Sequence, residues 1–235
     1  MWNNPRALNA AAGFLVGMAL LGFAFAALAL ALHSPIFALR VVAVRTPLKH
    51  VARADVEAAT AAHAHGNFFG AGIRELRAAL EELPWVRKVD VRRVWPDRLE
   101  VSIEEHEALA RWDDEALVNT HGERFAGRAA VELPLFIGPR GSEAEMTRRY
   151  SRFAAIVAPL GAPAERLTLT PRYAWQLRLA NGLELALGRD AGLAEQRLER
   201  FVEVYGGTLA GRRQREQYVD LRYPNGFAVR LNGSG

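Results

Sequence analysis

Residues Gly13 to Leu32 (GFLVGMALLGFAFAALALAL) run for twenty positions without a charged side chain. At about 1.5 Å rise per residue, a helix of that length covers about 30 Å, the hydrocarbon thickness of a bilayer. Lipid offers no partner to an open backbone group, so a segment of this kind has to be helical. The chain therefore reads as a short tail (1–12), a transmembrane helix (13–32) and a folded region beyond it. A cleaved signal peptide is the competing reading, because Ala27-Leu28-Ala29 and Ala29-Leu30-Ala31 fit a small-residue cleavage pattern. A signal core is usually only about 7–15 residues long, which favours an uncleaved anchor. Arg6 and the α-amine precede the span, whereas Arg40, Arg45, Lys49 and Arg53 follow it. Local positive-inside counting alone does not place the N-terminus inside. Long domains, however, are translocated largely regardless of charge. The expectation is N-terminus in, bulk out.

The 30 basic and 26 acidic residues leave a formal charge of only +4. That is too balanced for nucleic acid to be an expected partner. There is no cysteine, which excludes disulfide staples, thiolate metal sites and cysteine nucleophiles.

Beyond the anchor, Ser34-Pro35 ends the helix and Phe37 to Val44 is β-rich. Val51 to Ala62 reads as a short helix without a good cap, since Ala52 stands where Ser or Asp is expected. Gly66 closes it, and Asn67-Phe68-Phe69-Gly70 turns the chain. Ile73, Leu76, Leu80 and Leu83 then repeat at helical spacing up to Pro84. Trp85 to Val91 and Arg98 to Glu104 alternate apolar and polar residues around a Trp95-Pro96-Asp97 turn. The order strand, helix, helix, strand, strand lets two helices cover one face of a three-stranded sheet.

From Ala108 onward the pattern is mostly strand: 108–112, 116–119, 167–169, 175–179, 183–187, 217–221 and 227–231. Leu133 to Pro139 reads as an irregular apolar crossing. Ser142 to Ala158 reads as a helix, Ser142 and Glu145 suggesting a capping box. A second helix is expected from Leu193 to Leu209. Asn181-Gly182 is a two-residue hairpin signal. Trp175, Phe201 and Tyr205 read as core. The fold class is thus α+β: one span, a β-α-α-β-β domain (36–105) and a mainly antiparallel β-domain with flanking helices (108–232).

No catalytic set emerges. Gly-x-Ser-x-Gly, a phosphate loop and His-Glu-x-x-His are all missing from the sequence. His63-x-His65 has no nearby third ligand, and Glu104-Glu105-His106-Glu107 alternates between two faces, so its members read as a solvated edge. Gly211 to Arg215 (GRRQR) holds three arginines, fewer than a basic patch carries, and reads as a solvated loop. No enzyme activity, cofactor, metal or small-molecule substrate is expected.

Several stretches, in this order, resemble the FtsQ/DivIB family of bacterial cell division proteins: Leu83-Pro84-Trp85-Val86 with VRRVWPDRLEVSIEEHEALARW, Leu117-Val118-Asn119 with Gly122-Glu123-Arg124-Phe125, LPLFIGPRGS, YAWQLRLANGLELALGR and YVDLRYPNGFAVR. The resemblance implies a cytoplasmic tail, one transmembrane helix, a POTRA domain and a β-domain. It also implies a non-catalytic septal scaffold in the inner membrane that recruits FtsB and FtsL and, indirectly, FtsW and FtsI. The cytoplasmic flank is shorter than in many relatives, and the chain ends soon after its last strand.

A terminal strand at a sheet edge presents unpaired N–H and C=O groups to which a partner segment can add. The resemblance places the FtsB site there. The matching positions are Tyr223, Asn225, Gly226 and Phe227 with Arg222 nearby, and Arg172 matches a position that pairs with a partner carboxylate. A turn formed by Tyr223, Asn225 and Gly226 is the alternative, and the two are compatible. POTRA domains also serve outer-membrane assembly and translocation components, usually in several copies with a barrel; one copy and no barrel signal argue against that class here.

Overall fold

The computed structural model describes residues 5–32, 41–63, 72–95, 97–113, 116–208, 217–223 and 226–231. The first element is helix α1 (Pro5–Leu32). Within it, Asn9–Leu30 is long and apolar enough to cross a membrane, and no other described residue covers it. The folded remainder divides into compact units whose boundary falls between Glu105 and His106.

The first unit contains β1 (Val41–Val44), α2 (Arg53–His63), α3 (Ile73–Glu81), β2 (Val86–Val94) and β3 (Arg98–Glu105). The three strands form one sheet in the order β1-β3-β2. β1 runs parallel to β3, and β2 antiparallel to it. Alternation sets the inward face: Leu99, Val101 and Ile103 of β3 are buried with Val89 of β2. Leu76 and Leu80 of α3 and Val56 of α2 close the core from the helix side. The expected residues before Val41 and the Gly66–Gly70 turn lie outside the described residues, as does His65.

The loop that leads into α2 (Arg53–His63) is pinned, just ahead of the helix, by a distant carboxylate. The Glu105 side chain accepts N–H groups of Lys49 at 3.0 Å, His50 at 3.1 Å and Val51 at 3.1 Å. Burial pulls the Glu105 carboxyl upward, but these three amides together with the His50 ring outweigh it and hold the group below its ordinary value. This corrects the expectation of a solvated acidic edge at residues 104–107. Glu104 pairs with Arg87, and the His106 ring stacks on Phe125 at 4.1 Å.

The second unit contains β4 (Ala108–Trp112), β5 (Ala116–Asn119), β6 (Arg124–Phe125), β7 (Leu135–Ile137), α4 (Glu143–Val157), β8 (Ala164–Leu169), β9 (Trp175–Leu179), β10 (Glu184–Gly188), α5 (Ala191–Thr208), β11 (Gln217–Asp220) and β12 (Ala228–Leu231). The strands form a single sheet in the order β12-β11-β10-β9-β8-β7-β4-β5-β6. Five of the pairings are antiparallel, and β4–β7, β7–β8 and β10–β11 are parallel. α4 and α5 cover one face. Met146, Phe153 and Val157 of α4 and Ala194, Leu198 and Phe201 of α5 meet Phe136, Leu167, Trp175 and Leu177 of the strands.

Two expectations change. Leu135–Ile137 is not an irregular crossing but a strand held between β4 and β8 in parallel register. Ser142 stands at the N-cap of α4, yet no capping box forms: its hydroxyl donates to the Pro139 carbonyl at 2.6 Å. At the turn between β5 and β6, Gly122 has φ +79°, and a Cβ there would stand 2.4 Å from the Ala144 Cα. Only glycine lets this turn lie against α4.

Candidate functional site

The last strand determines whether the sheet remains open. Among the described residues β12 pairs with β11 alone, in the antiparallel register Gln217↔Leu231 to Asp220↔Ala228. Its far side is therefore a sheet edge. Phe227 and Val229 face inward onto the core, whereas Ala228 and Arg230 are exposed.

Each expected site residue has a distinct setting. Tyr223 is 55% exposed, an aromatic ring left in water by its own fold. Phe227 is half-buried, its ring edge-on to Phe201 of α5 at 5.3 Å. Its side chain serves the core, so its offering to a partner is mainly backbone. Gly226 is exposed, and a Cβ built on it meets nothing within 4 Å. The fold of this chain thus makes no steric demand for glycine at 226, and close approach by another backbone is open. Asn225 lies outside the described residues.

Arg222 is tied down. Its Nε donates to both carboxylate oxygens of Asp220, at 2.8 and 3.0 Å, and its backbone N–H donates to the same group at 3.0 Å. The Arg222 hydrogen bond holds the Asp220 carboxyl below its ordinary value against the upward pull of burial, and the pairing raises Arg222 in turn. The bridge points the guanidinium toward a cleft of about 730 Å³ that Arg172 also lines. The structure therefore brings together Arg172 and Arg222, fifty positions apart in sequence.

Arg189, Arg197 and Asp190 complete the charged lining, and the sequence reading did not single them out. Asp190 is engaged locally, capping α5 by accepting the N–H groups of Gly192 at 2.9 Å and Leu193 at 3.1 Å. Arg197 donates to the Leu187 carbonyl at 2.8 Å. Gly188 sits at φ +91°, where a Cβ would come within 2.9 Å of Arg197 and 3.3 Å of Arg222; its lack of a side chain is what lets both arginines line the space. Gly188-Arg189-Asp190 at a strand end was the available signal, but without the fold it reads only as a turn and helix cap. Tyr173, with φ +58°, is 64% exposed beside Arg172.

Four guanidinium groups meet two carboxylates, Asp190 and Asp220, both already engaged, so the cleft favours an anionic side chain. The edge strand beside it offers backbone pairing. Among the described residues no group of three or more His, Asp or Glu is arranged to hold a metal ion. His63 bonds the Ala59 carbonyl at 3.0 Å, and residues 211–215 lie outside the described ones.

A membrane-length apolar helix, a β-α-α-β-β unit and a β-domain with an open final strand define a class: two-domain proteins built on a POTRA module behind an apolar helix long enough to cross a membrane. Comparison with known proteins makes this specific. Residues 37–106 match the family model "POTRA domain, FtsQ-type", and residues 110–222 match "Cell division protein FtsQ/DivIB, C-terminal". The "Cell division protein FtsQ" of Burkholderia pseudomallei (strain K96243) is 40% identical, over 99% of this chain and 95% of that protein. That of Nitrosospira multiformis is also 40% identical, over 98% and 99%. That of Neisseria gonorrhoeae is 33% identical, over 98% and 95%. The chain belongs to the FtsQ/DivIB family of cell division proteins.

Proposed function

We propose that this chain is a non-catalytic scaffold of the division machinery. Residues 13–32 anchor it in the inner membrane, with the N-terminus cytoplasmic and the POTRA (36–105) and β-domain (108–232) in the periplasm at the septum. The β-domain recruits the FtsB–FtsL pair and, through it, supports and regulates septal peptidoglycan synthesis by FtsW and FtsI. The observation that carries this reading is the open edge of β12 beside the arginine cleft. A partner segment would add itself to β12, its backbone supplying affinity. A carboxylate on the partner would enter between Arg172 and Arg222, and Tyr223 would supply an aromatic contact of the kind that dominates hot spots.

Membership in the cell division family, together with an anchor-length helix, supports the setting. The absent steric role of Gly226 supports the site, because a change there should damage binding and spare the fold. Full-length protein carrying Gly226→Asp, Tyr223→Ala or Arg172→Glu should melt like the parent and fail to co-purify FtsB–FtsL. Normal co-purification by all three variants would overturn the site. Depletion in the source cell should give filaments without constrictions; continued division would overturn the function itself.

A further inference from the structure

Trp95 stands at the tip of the β2–β3 hairpin and is 73% exposed. The other tryptophan of the POTRA unit, Trp85, is half-buried and stacked on His50 at 4.1 Å. Nothing in the fold accounts for leaving a second indole in water. Its surroundings are basic. Arg45, Arg92 and Arg98 have side chains 66%, 69% and 62% exposed, and Arg93 is exposed as well. Arg45 and Arg92 share the single Glu100 carboxylate, and Arg98 stands 3.7 Å from Asp97. These three arginines thus outnumber the two carboxylates that pair with them.

The register fixes which end of the domain this is. Val41, where β1 begins, pairs with Arg98, and Arg98 pairs with Val94. The hairpin tip therefore lies at the end of the sheet where the chain arrives from the anchor. Nine residue steps separate Leu32, the end of α1, from Val41. Fully extended they reach at most about 32 Å. The opposite end of β2, at Val86, is about 26 Å further from the tip, at about 3.3 Å per residue.

We propose that the β2–β3 hairpin tip docks on the bilayer that holds α1, with Trp95 at the headgroup level and Arg92, Arg93 and Arg98 against anionic lipid phosphates. Tryptophan partitions to this interface because one end of the ring is apolar and the other carries an N–H. Arginine pairs bidentately with phosphate, and the attraction fades beyond a Debye length, so the short tether is part of the mechanism. The docked hairpin would fix how far from the membrane the POTRA domain sits. This inference rests on α1 being a membrane anchor.

The chain has no cysteine, so one engineered thiol reports one place. Full-length protein carrying Asp97→Cys or Glu82→Cys, each labelled with an NBD fluorophore, is reconstituted into nanodiscs containing doxyl-quencher lipids. Retention in the discs during gel filtration reports the anchor separately. In discs containing phosphatidylglycerol, the label at 97 should be quenched at least threefold more than the label at 82. Adding Trp95→Ala, adding Arg93→Glu with Arg98→Glu, or replacing phosphatidylglycerol by phosphatidylcholine should remove most of that difference. Equal quenching at 97 and 82 in anionic discs that retain the protein would overturn the proposal. Quenching indifferent to lipid charge and to all these substitutions would also overturn it.

Discussion

Glu105→Ala tests whether one carboxylate organises the entry to α2. The side chain accepts three consecutive amides, those of Lys49, His50 and Val51, at 3.0 to 3.2 Å. Lys49 and His50 are near water, which replaces much of what their amides lose, about 0.5 kcal/mol each after exchange. Val51 is 7% exposed, so its amide loses more, about 1 kcal/mol. The sum is about 2 kcal/mol, close to 30-fold in a local opening equilibrium. In a unit of this size it should lower the melting temperature by about 8–16 °C. The assay is hydrogen exchange of the full chain in nanodiscs, read over 53–63. Amides of α2 should exchange 10- to 30-fold faster in the variant, while those of β8 and β9 keep their rates. The effect carries a pH signature. Because the folded Glu105 value is lowered, its stabilisation is present above the unfolded value of about 4.3 and disappears as pH falls through the lower folded value. Parent and variant should therefore converge in acid. A change in α2 exchange below threefold at neutral pH, or a gap that persists undiminished in acid, would refute the reasoning.

Further outcomes follow from the β-domain. Gly122→Ala places a methyl against the Ala144 backbone at positive φ, and should cost about 2–4 kcal/mol, seen as a lowered urea midpoint of the β-domain transition. Gly226→Ala meets open space and should leave that midpoint within about 0.5 kcal/mol of the parent. Asp220 titrates below its ordinary value because Arg222 bonds it, so the bridge should persist above the unfolded value near 3.9 and open as pH falls through the folded one. In Arg222→Met, a carboxyl-carbon NMR titration should show the Asp220 value moved upward.

Local patterns were legible in the sequence where a side-chain period acts over neighbouring residues. Leu99, Val101 and Ile103 announced a buried strand face, Leu76 and Leu80 a helix stripe, and Asn181-Gly182 a hairpin that the structure closes with Gly182 at φ +87°. What stayed hidden was non-local. β7 has only three residues and owes its existence to parallel neighbours on both sides, so no period could reveal it. Ser142 and Glu145 had the spacing of a capping box, but the nearby Pro139 carbonyl takes the hydroxyl. The anchoring of the loop before α2 was equally hidden, because Glu105, which holds the Val51 amide, lies more than fifty positions downstream. At the candidate site, residues 222–227 stood out as a turn, and family resemblance added Arg172. Arg189 and Arg197 join them only because the β10 bulge at Gly188 and the start of α5 turn both toward the same cleft. The resemblance offered Phe227 to a partner, and only the packing of α5 shows its ring against Phe201.

If β12 receives a partner strand along its open side, residue-resolved hydrogen exchange of the full chain, with and without the FtsB–FtsL pair, will register that pairing amide by amide. Amides of Ala228–Leu231 that point away from β11 should slow at least tenfold in the complex, while their alternates, already bonded to β11, barely change. A complex that forms while every β12 amide keeps its free-state rate would contradict the account.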